Sequence, residues 1–497
     1  MSDFKRLFKH TSIYSVGNIA MRAGAFVLLP LYTHYLTIAE YGILELLYSV
    51  SSIISSFLSI GLAHATLRFY FEYDELSDRN AVISSSMITS FIITVPAVLL
   101  ISIFNRQISN LVFDSPEYVS ALNLTYIILV FEMARQIGLS YLRAKEYSIS
   151  FVVISVAQLI VQVILNIITV AVLHLGIFGI LFGNMISVFV GLVICSFITF
   201  RECGFRYDWN KMKEIFNYSL PFFFSSISGV ILENADRFIL KMLLSLDAVG
   251  IYALAYKFGL LLKELVVEPF QRSFGAFRFS IMKQSDAKFI QSRTLLYFFA
   301  AVAWVGLGLS LLSNEIIYIL TAEEYYAAAK YIVIIALAVV ISSCGYIFQT
   351  GMLYKKKTLW VFYAGLFSDV CGLICSWIFI SLWEIWGAVI AFCALNVFRV
   401  ISTNFLSQKL YPVKYDYNRL FQATFICLCL YSSGYMAMVL ITNFYIVFII
   451  KIFLAVLFPF ILAQTGYFTK EEIASASMFG EKIKESLKNM ILTKATQ

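Results

Sequence analysis

The decapeptide ENADRFILKM, residues 233–242, sets Glu233, Asp236, Arg237 and Lys241 between two apolar runs, SLPFFFSSISGVIL and LLSLDAVGIYALAY. Carboxylates and cations so spaced can pair with one another, hold a proton or receive an anion. In a helix Glu233, Arg237 and Lys241 recur every fourth residue and share a face, which also places Glu233 and Arg237 to brace each other. Further on, Lys257, Glu264, Glu268 and Arg272 fall in one narrow arc at about 100° per residue, with Lys263 pointing elsewhere. Glu132 and Arg135 form an i,i+3 pair beside Gln136. Arg22, Glu45, Lys330, Asp369, Arg399 and Lys451 are set singly in apolar surroundings.

These charges are scarce: the chain of 497 residues is 60% hydrophobic and 13% charged, with mean hydropathy +0.83. A soluble domain carries about 25% charged residues, so an ordinary soluble core is excluded. Many apolar blocks reach the roughly 20 residues a helix needs to cross the ~30 Å hydrocarbon layer. They predict an all-α polytopic membrane protein of about fourteen transmembrane helices. The spans fall near 11–36, 40–66, 81–104, 119–141, 149–173, 177–200, 216–245, 249–277, 294–313, 328–353, 359–382, 386–408, 420–441 and 445–466. The run ending at Leu36 follows a basic start, Lys5, Arg6 and Lys9, and is too long for a signal-peptide core, so it is expected to stay as the first span.

Orientation follows from lysine and arginine. The N-terminus and every second loop hold twenty-six of the 37, the opposite loops only Arg106, and ten lie within spans. The positive-inside rule then puts both termini in the cytoplasm. All loops are short, which leaves no room for a sizeable catalytic domain outside the membrane. The tail from Thr469 opens with a capping box, Thr469 and Glu472. It then sets Phe479, Ile483, Leu487 and Met490 on one face, as an amphipathic helix on the inner leaflet would.

An internal repeat appears at an offset of 208, which aligns Gly42 with Gly250, Ile43 with Ile251, Leu46 with Leu254 and Tyr48 with Tyr256. The offset spans an even number of helices, so the copies run parallel about an axis along the membrane normal, an arrangement known in transporters. The expected organisation is a six-helix lobe at 1–200, a cytoplasmic linker at 201–215, a second lobe at 216–408, a helix pair at 409–466 and the tail at 467–497.

A charge at mid-membrane costs at least ~2.5–3.5 kcal/mol, so intramembrane charges face partners or water. At ~1.5 Å per residue, Arg22, Lys257 and Asp369 lie nearest the midplane and Glu45 above it. Arg135, Glu264 and Arg399 lie in the cytoplasmic third, and Asp236, Arg237 and Lys241 toward the outer mouth. Lys241, Lys330, Arg272 and Lys451 read as snorkelling to an interface, whereas Arg22, Lys257 and Arg237 read as lining a polar cavity. With seven acids against ten bases the balance is net positive, which suits an anionic amphiphile whose phosphate meets Arg and Lys. No phosphate-binding glycine loop, HExxH or nucleophile elbow is present, and the four histidines and eight cysteines form no ligand pattern. No enzyme activity, cofactor, metal or nucleic acid is expected.

The run ENADRFILKMLLSLDAVGIYALAYKFGLLL and its counterpart LPLYTHYLTIAEYGILELLYSV resemble segments of polysaccharide-repeat-unit (Wzx-type) flippases. These belong to an exporter superfamily with multidrug and toxic-compound extruders and lipid II flippases. The matching residues are Asp236 and Arg237, then Gly250, Ile251 and Tyr252. The resemblance implies a bacterial inner-membrane flippase that moves a polyprenyl-diphosphate-linked oligosaccharide from the cytoplasmic to the periplasmic leaflet. It implies alternating access driven by a proton or sodium gradient, for O-antigen, capsule or exopolysaccharide synthesis, with a polymerase and chain-length proteins as partners. On that reading Arg22, Lys257, Arg237, Arg135 and Arg399 bind the phosphate, and Glu45, Glu132, Glu233, Asp236, Glu264 and Asp369 serve gating or ion coupling. A drug or cation antiporter of the same fold would prefer a net-acidic cavity, and a membrane polymerase would need a large outer loop.

Overall fold

The computed structural model describes residues 26–59 and 61–469, with the single positions 24 and 472. Arg22, the beginning of the first expected span and nearly all of the amphipathic tail lie outside the described residues. What is described is built from helices: α1 (Leu29–Tyr35), α2 (Ile38–Ser59), α3 (Leu62–Glu72), α4 (Leu76–Ser102), α5 (Asn105–Phe113), α6 (Val119–Ala144), α7 (Ser148–Asn166) and α8 (Gly176–Cys203). The second half contributes α9 (Trp209–Leu243), α10 (Leu246–Leu262), α11 (Glu268–Ser280), α12 (Ala287–Leu311), α13 (Ser313–Leu320), α14 (Ala329–Phe348), α15 (Thr350–Tyr354), α16 (Thr358–Leu410), α17 (Tyr417–Leu440) and α18 (Phe444–Gln464).

Ten helical segments among the described residues are long and apolar enough to cross a bilayer. One of them, Thr358–Leu410, is two helices joined at Trp383 and Glu384, where the backbone leaves helical geometry. The segments expected at 216–245 and 249–277 are helical as well but are not among the ten. The protein is an all-α, multi-pass membrane protein. The expected arc of Lys257, Glu264, Glu268 and Arg272 is not kept, because residues Lys263–Val267 form a π-helical turn. Pro269 lacks the N–H that would close the next α-helical bond. The extra residue in the turn rotates Glu268 and Arg272 by about 100° relative to Lys257.

The chain divides into two compact units. The first comprises Met1–Tyr256, Ile317–Tyr331 and Asp369–Leu395, and the second Lys257–Ile316, Ile332–Ser368 and Asn396–Gln497. In the first, Leu62, Phe69, Val82, Met87, Ala134, Ile137 and Leu192 pack one core. In the second, the core runs through Phe274, Leu295, Phe299, Val340, Leu430 and Phe458.

The linker between the expected lobes is shorter than 201–215, because α8 runs on to Cys203 and α9 begins at Trp209. It is tied to the serine run of α4: the Arg206 N–H donates to Ser84 Oγ at 3.0 Å and the Asp208 N–H to Ser85 Oγ at 2.8 Å. Asp208 caps α9 by accepting from the N–H groups of Asn210 and Lys211. Lys211 pairs with Asp78 at 3.0 Å. At the other end of the chain, the capping box at Thr469 is formed: its N–H donates to Glu472 at 2.7 Å and its hydroxyl accepts from the Glu472 N–H at 3.3 Å.

Candidate functional site

Two helix starts meet within the first unit. Thr37 caps α2 reciprocally with Glu40, its N–H donating to the carboxylate at 2.9 Å and its hydroxyl accepting from the Glu40 N–H at 3.2 Å. Ser245 caps α10 by accepting from the Ala248 N–H at 3.2 Å. The two caps are 208 residues apart, the offset of the repeat. The helices they start cross at Gly42 and Gly250. A Cβ at Gly42 would overlap the Leu246 carbonyl oxygen, and a Cβ at Gly250 would overlap that of Ile38. Leu246 is itself the offset partner of Ile38, so the contact is reciprocal, as a two-fold relation between the copies requires. Only residues without a Cβ let the two backbones approach this closely.

Around this crossing the polar residues converge. Tyr325 donates its hydroxyl to the carbonyls of Leu36 and Thr37, both at 3.0 Å, and meets the Tyr41 ring edge-on at 5.9 Å. Arg237 is buried. Its guanidinium lies 3.4 Å from Asp236 and 4.7 Å from the centre of the Tyr256 ring. Tyr252 donates its hydroxyl to the other Asp236 oxygen. Glu45, buried one turn beyond Tyr41, lies within electrostatic reach of Arg237. The expected Glu233–Arg237 brace is replaced: Glu233 is exposed and offers Arg237 only its backbone carbonyl, at 3.4 Å, while the ion pair forms with Asp236. One turn further out, buried Lys241 donates to Asp114 at 2.6 Å and to the Leu111 carbonyl at 3.2 Å.

The other expected site residues are dispersed. Arg135 is buried in the packing of α6 against α8, with Glu132 accepting from both Nε and Nη2 at 2.8 and 2.7 Å, and Gln136 donating to the same carboxylate. Lys257, Glu264 and Asp369 are half-buried, and Arg399 is exposed on the second half of α16. Arg22 lies outside the described residues. Lys330 and Arg272 are exposed, as snorkelling requires. Lys451 is not: its ammonium donates to Glu315 at 2.6 Å in a pair that is almost fully buried. Sited in the second turn of α18, it finds an acid from α13 closer than water. Tyr325, Asp114 and Glu315 were not singled out by sequence reasoning, whereas Tyr252 stood among the residues that carry the family resemblance. Tyr256 carried a signal too, as the repeat partner of Tyr48.

The fold is one seen before in transporters. A lipid II flippase, MurJ, in an inward closed conformation superposes with a TM-score of 0.72 at 15% identity, covering 91% of this chain and 99% of that one. An inward-facing multidrug resistance MATE family transporter of the MOP superfamily gives 0.64 at 15% identity, covering 80% and 94%. A MATE transporter of Vibrio cholerae gives 0.55 at 16%, covering 82% and 96%. No curated protein sequence matches. Residues 7–274, more than half of the chain, match the family described as polysaccharide biosynthesis protein, and the chain belongs to that family.

Proposed function

We propose that the protein is a flippase of the Wzx type, which carries a polyprenyl-diphosphate-linked oligosaccharide from the cytoplasmic to the periplasmic leaflet of the bacterial inner membrane for surface polysaccharide synthesis. The observation that carries this reading is the crossing at Gly42 and Gly250. The two copies of the repeat meet there through bare backbone and a few polar pairs, a contact that can part and re-form as alternating access demands. In this reading the lobes are residues 1–200 and 216–408, and both termini are cytoplasmic. Arg22 and Lys257 near the midplane receive the diphosphate. The test is the lipid-linked sugar itself. A deletion strain should accumulate a polyprenyl-diphosphate oligosaccharide, identified by mass, and Arg22→Ala and Lys257→Ala should reproduce that accumulation with normal amounts of protein in the membrane. Normal surface glycan in both variants would overturn the assignment of these residues, and no accumulation in the deletion strain would overturn the flippase.

Coupling to a proton or sodium gradient is assigned to Glu45 and Asp236. Glu45 attracts Arg237 across the crossing, and a proton or sodium ion on Glu45 cancels that attraction, which favours opening. Glu45→Gln mimics the protonated state. In vesicles, wild-type transport should respond to an imposed gradient by at least about fivefold, a coupling of roughly 1 kcal/mol, and the variant should not respond. An unchanged response in Glu45→Gln would remove Glu45 from the coupling.

A further inference from the structure

Arg278 ends the last turn of α11 in the second unit and is buried, at 8% exposure. It has no carboxylate partner among the described residues. Among the described residues its Nε and Nη1 make no hydrogen bond, and Nη2 reaches the Tyr346 hydroxyl, at 3.4 Å. A guanidinium carries five donors in a planar fork and cannot shed its charge. Burying it without an anion is among the costliest arrangements a fold can hold.

The surroundings hold this arginine in place without neutralising it. Its charge centre lies 4.8 Å from the Tyr346 ring centre and 5.2 Å from that of Phe279, so two aromatic faces take part of the charge. Tyr346 donates its own hydroxyl to the Gln271 carbonyl at 3.0 Å, which fixes the ring. Gly275 leaves room for that hydroxyl, since a Cβ there would stand 3.2 Å from it. Tyr354 donates to the Arg278 carbonyl and so anchors the backbone. The ring of Tyr354 meets that of Tyr411, over which Lys288 places a second cation at 4.8 Å.

Depth identifies the missing anion. Phe277, Phe279 and Met282 around the helix end are exposed large apolar residues, while Lys283 and Lys288 follow within ten residues. Such a sequence marks the level where hydrocarbon meets headgroups, and the anion there is phosphate. The arginine fork matches phosphate oxygens in pairs.

We infer that Arg278, walled by Tyr346 and Phe279, is a phosphate-binding site at the cytoplasmic end of the second unit. It takes the phosphate of a lipid headgroup or of a polyprenyl diphosphate, and it stands whether or not the protein is a flippase.

The test uses the full chain in nanodiscs of neutral phosphatidylcholine and follows the unfolding midpoint. Three probes are added separately: inorganic pyrophosphate, phosphatidylglycerol in the disc, and a polyprenyl diphosphate without sugar. At least one should raise the midpoint. The rise should vanish in Arg278→Gln, and in Arg278→Lys should need about tenfold more ligand. The probe that succeeds names the source: pyrophosphate a free anion, phosphatidylglycerol a headgroup, the polyprenyl compound alone a substrate. Should the variants fail to fold, modification of Arg278 by phenylglyoxal in the wild-type protein, mapped by peptide mass, must slow when the ligand is present. No stabilisation by any probe, an equal rise in Arg278→Gln, or no protection of Arg278 would overturn the site. None of these results bears on the accumulation assay, so the two readings fail separately.

Discussion

Lys451→Met should lower the unfolding free energy by about 3–5 kcal/mol, the cost of leaving one member of a buried ion pair without its partner. Lys451 lies seven residues beyond the start of α18, which puts it about 10 Å along the helix from that end at ~1.5 Å per residue. Among the described residues its polar contact is the 2.6 Å bond to Glu315, whose second oxygen has no partner there. Methionine replaces the stem of the lysine but not its charge, so Glu315 must either stay ionised in an apolar surround or take up a proton. Adding Glu315→Gln should recover most of the loss, because two neutral groups of similar shape cost far less to bury than one unpaired carboxylate. Buried thiols give the readout: Cys195, Cys203 and Cys344 are buried and should react with a maleimide dye only as the fold opens. A double variant no more stable than Lys451→Met would show that the pair is not electrostatically coupled.

The same lysine shows why some features are legible in sequence and others are not. Spans, short loops and the capping box depend on residues close together in the chain, so periodicity and capping chemistry reveal them. The capping box at Thr469 and Glu472 is formed as its spacing requires. Partners distant in sequence leave no such trace. Lys241 finds Asp114 at a separation of 127 residues and Lys451 finds Glu315 at 136, and neither acid stands out within its own loop. Local spacing can also mislead. Glu233 sits at the ideal i,i+4 distance from Arg237, yet Asp236 takes the guanidinium because Tyr252 holds its carboxylate in position. The arc on α10 and α11 fails for another reason: it assumes an unbroken α-helix, and Pro269 interrupts the hydrogen-bond ladder. Arg278, counted from sequence as one more loop cation, differs from its neighbours only in being buried without an acid.

The repeat is the exception, a long-range relation that sequence does carry, and it sets up the strongest functional prediction. Gly42→Ala and Gly250→Ala should each open the outer side and reduce surface-glycan export. In either variant the new methyl group overlaps a backbone carbonyl, that of Leu246 or of Ile38, and a helix backbone cannot yield as a flexible side chain can. Overpacking of this kind costs about 1–3 kcal/mol, which is roughly a 5- to 150-fold shift between the closed and open arrangements. The penalty falls only on the closed state, and alanine is the better helix former by about 0.5–1 kcal/mol, so thermal stability should hold or rise while export falls. A cysteine at Leu46, buried and one turn beyond Gly42 on α2, reports the opening once the native cysteines are replaced by serine. Its labelling by an impermeant maleimide from outside should quicken about tenfold in each glycine variant. Gly308→Ala supplies the control, since a Cβ there would meet nothing within 4 Å, and should change neither labelling nor export. Because the contact is reciprocal, the first substitution already separates the two backbones, and the double variant should open little further than either single one. Fully additive effects would mean that the two glycines act at separate contacts, and the two-fold crossing would then have to be abandoned.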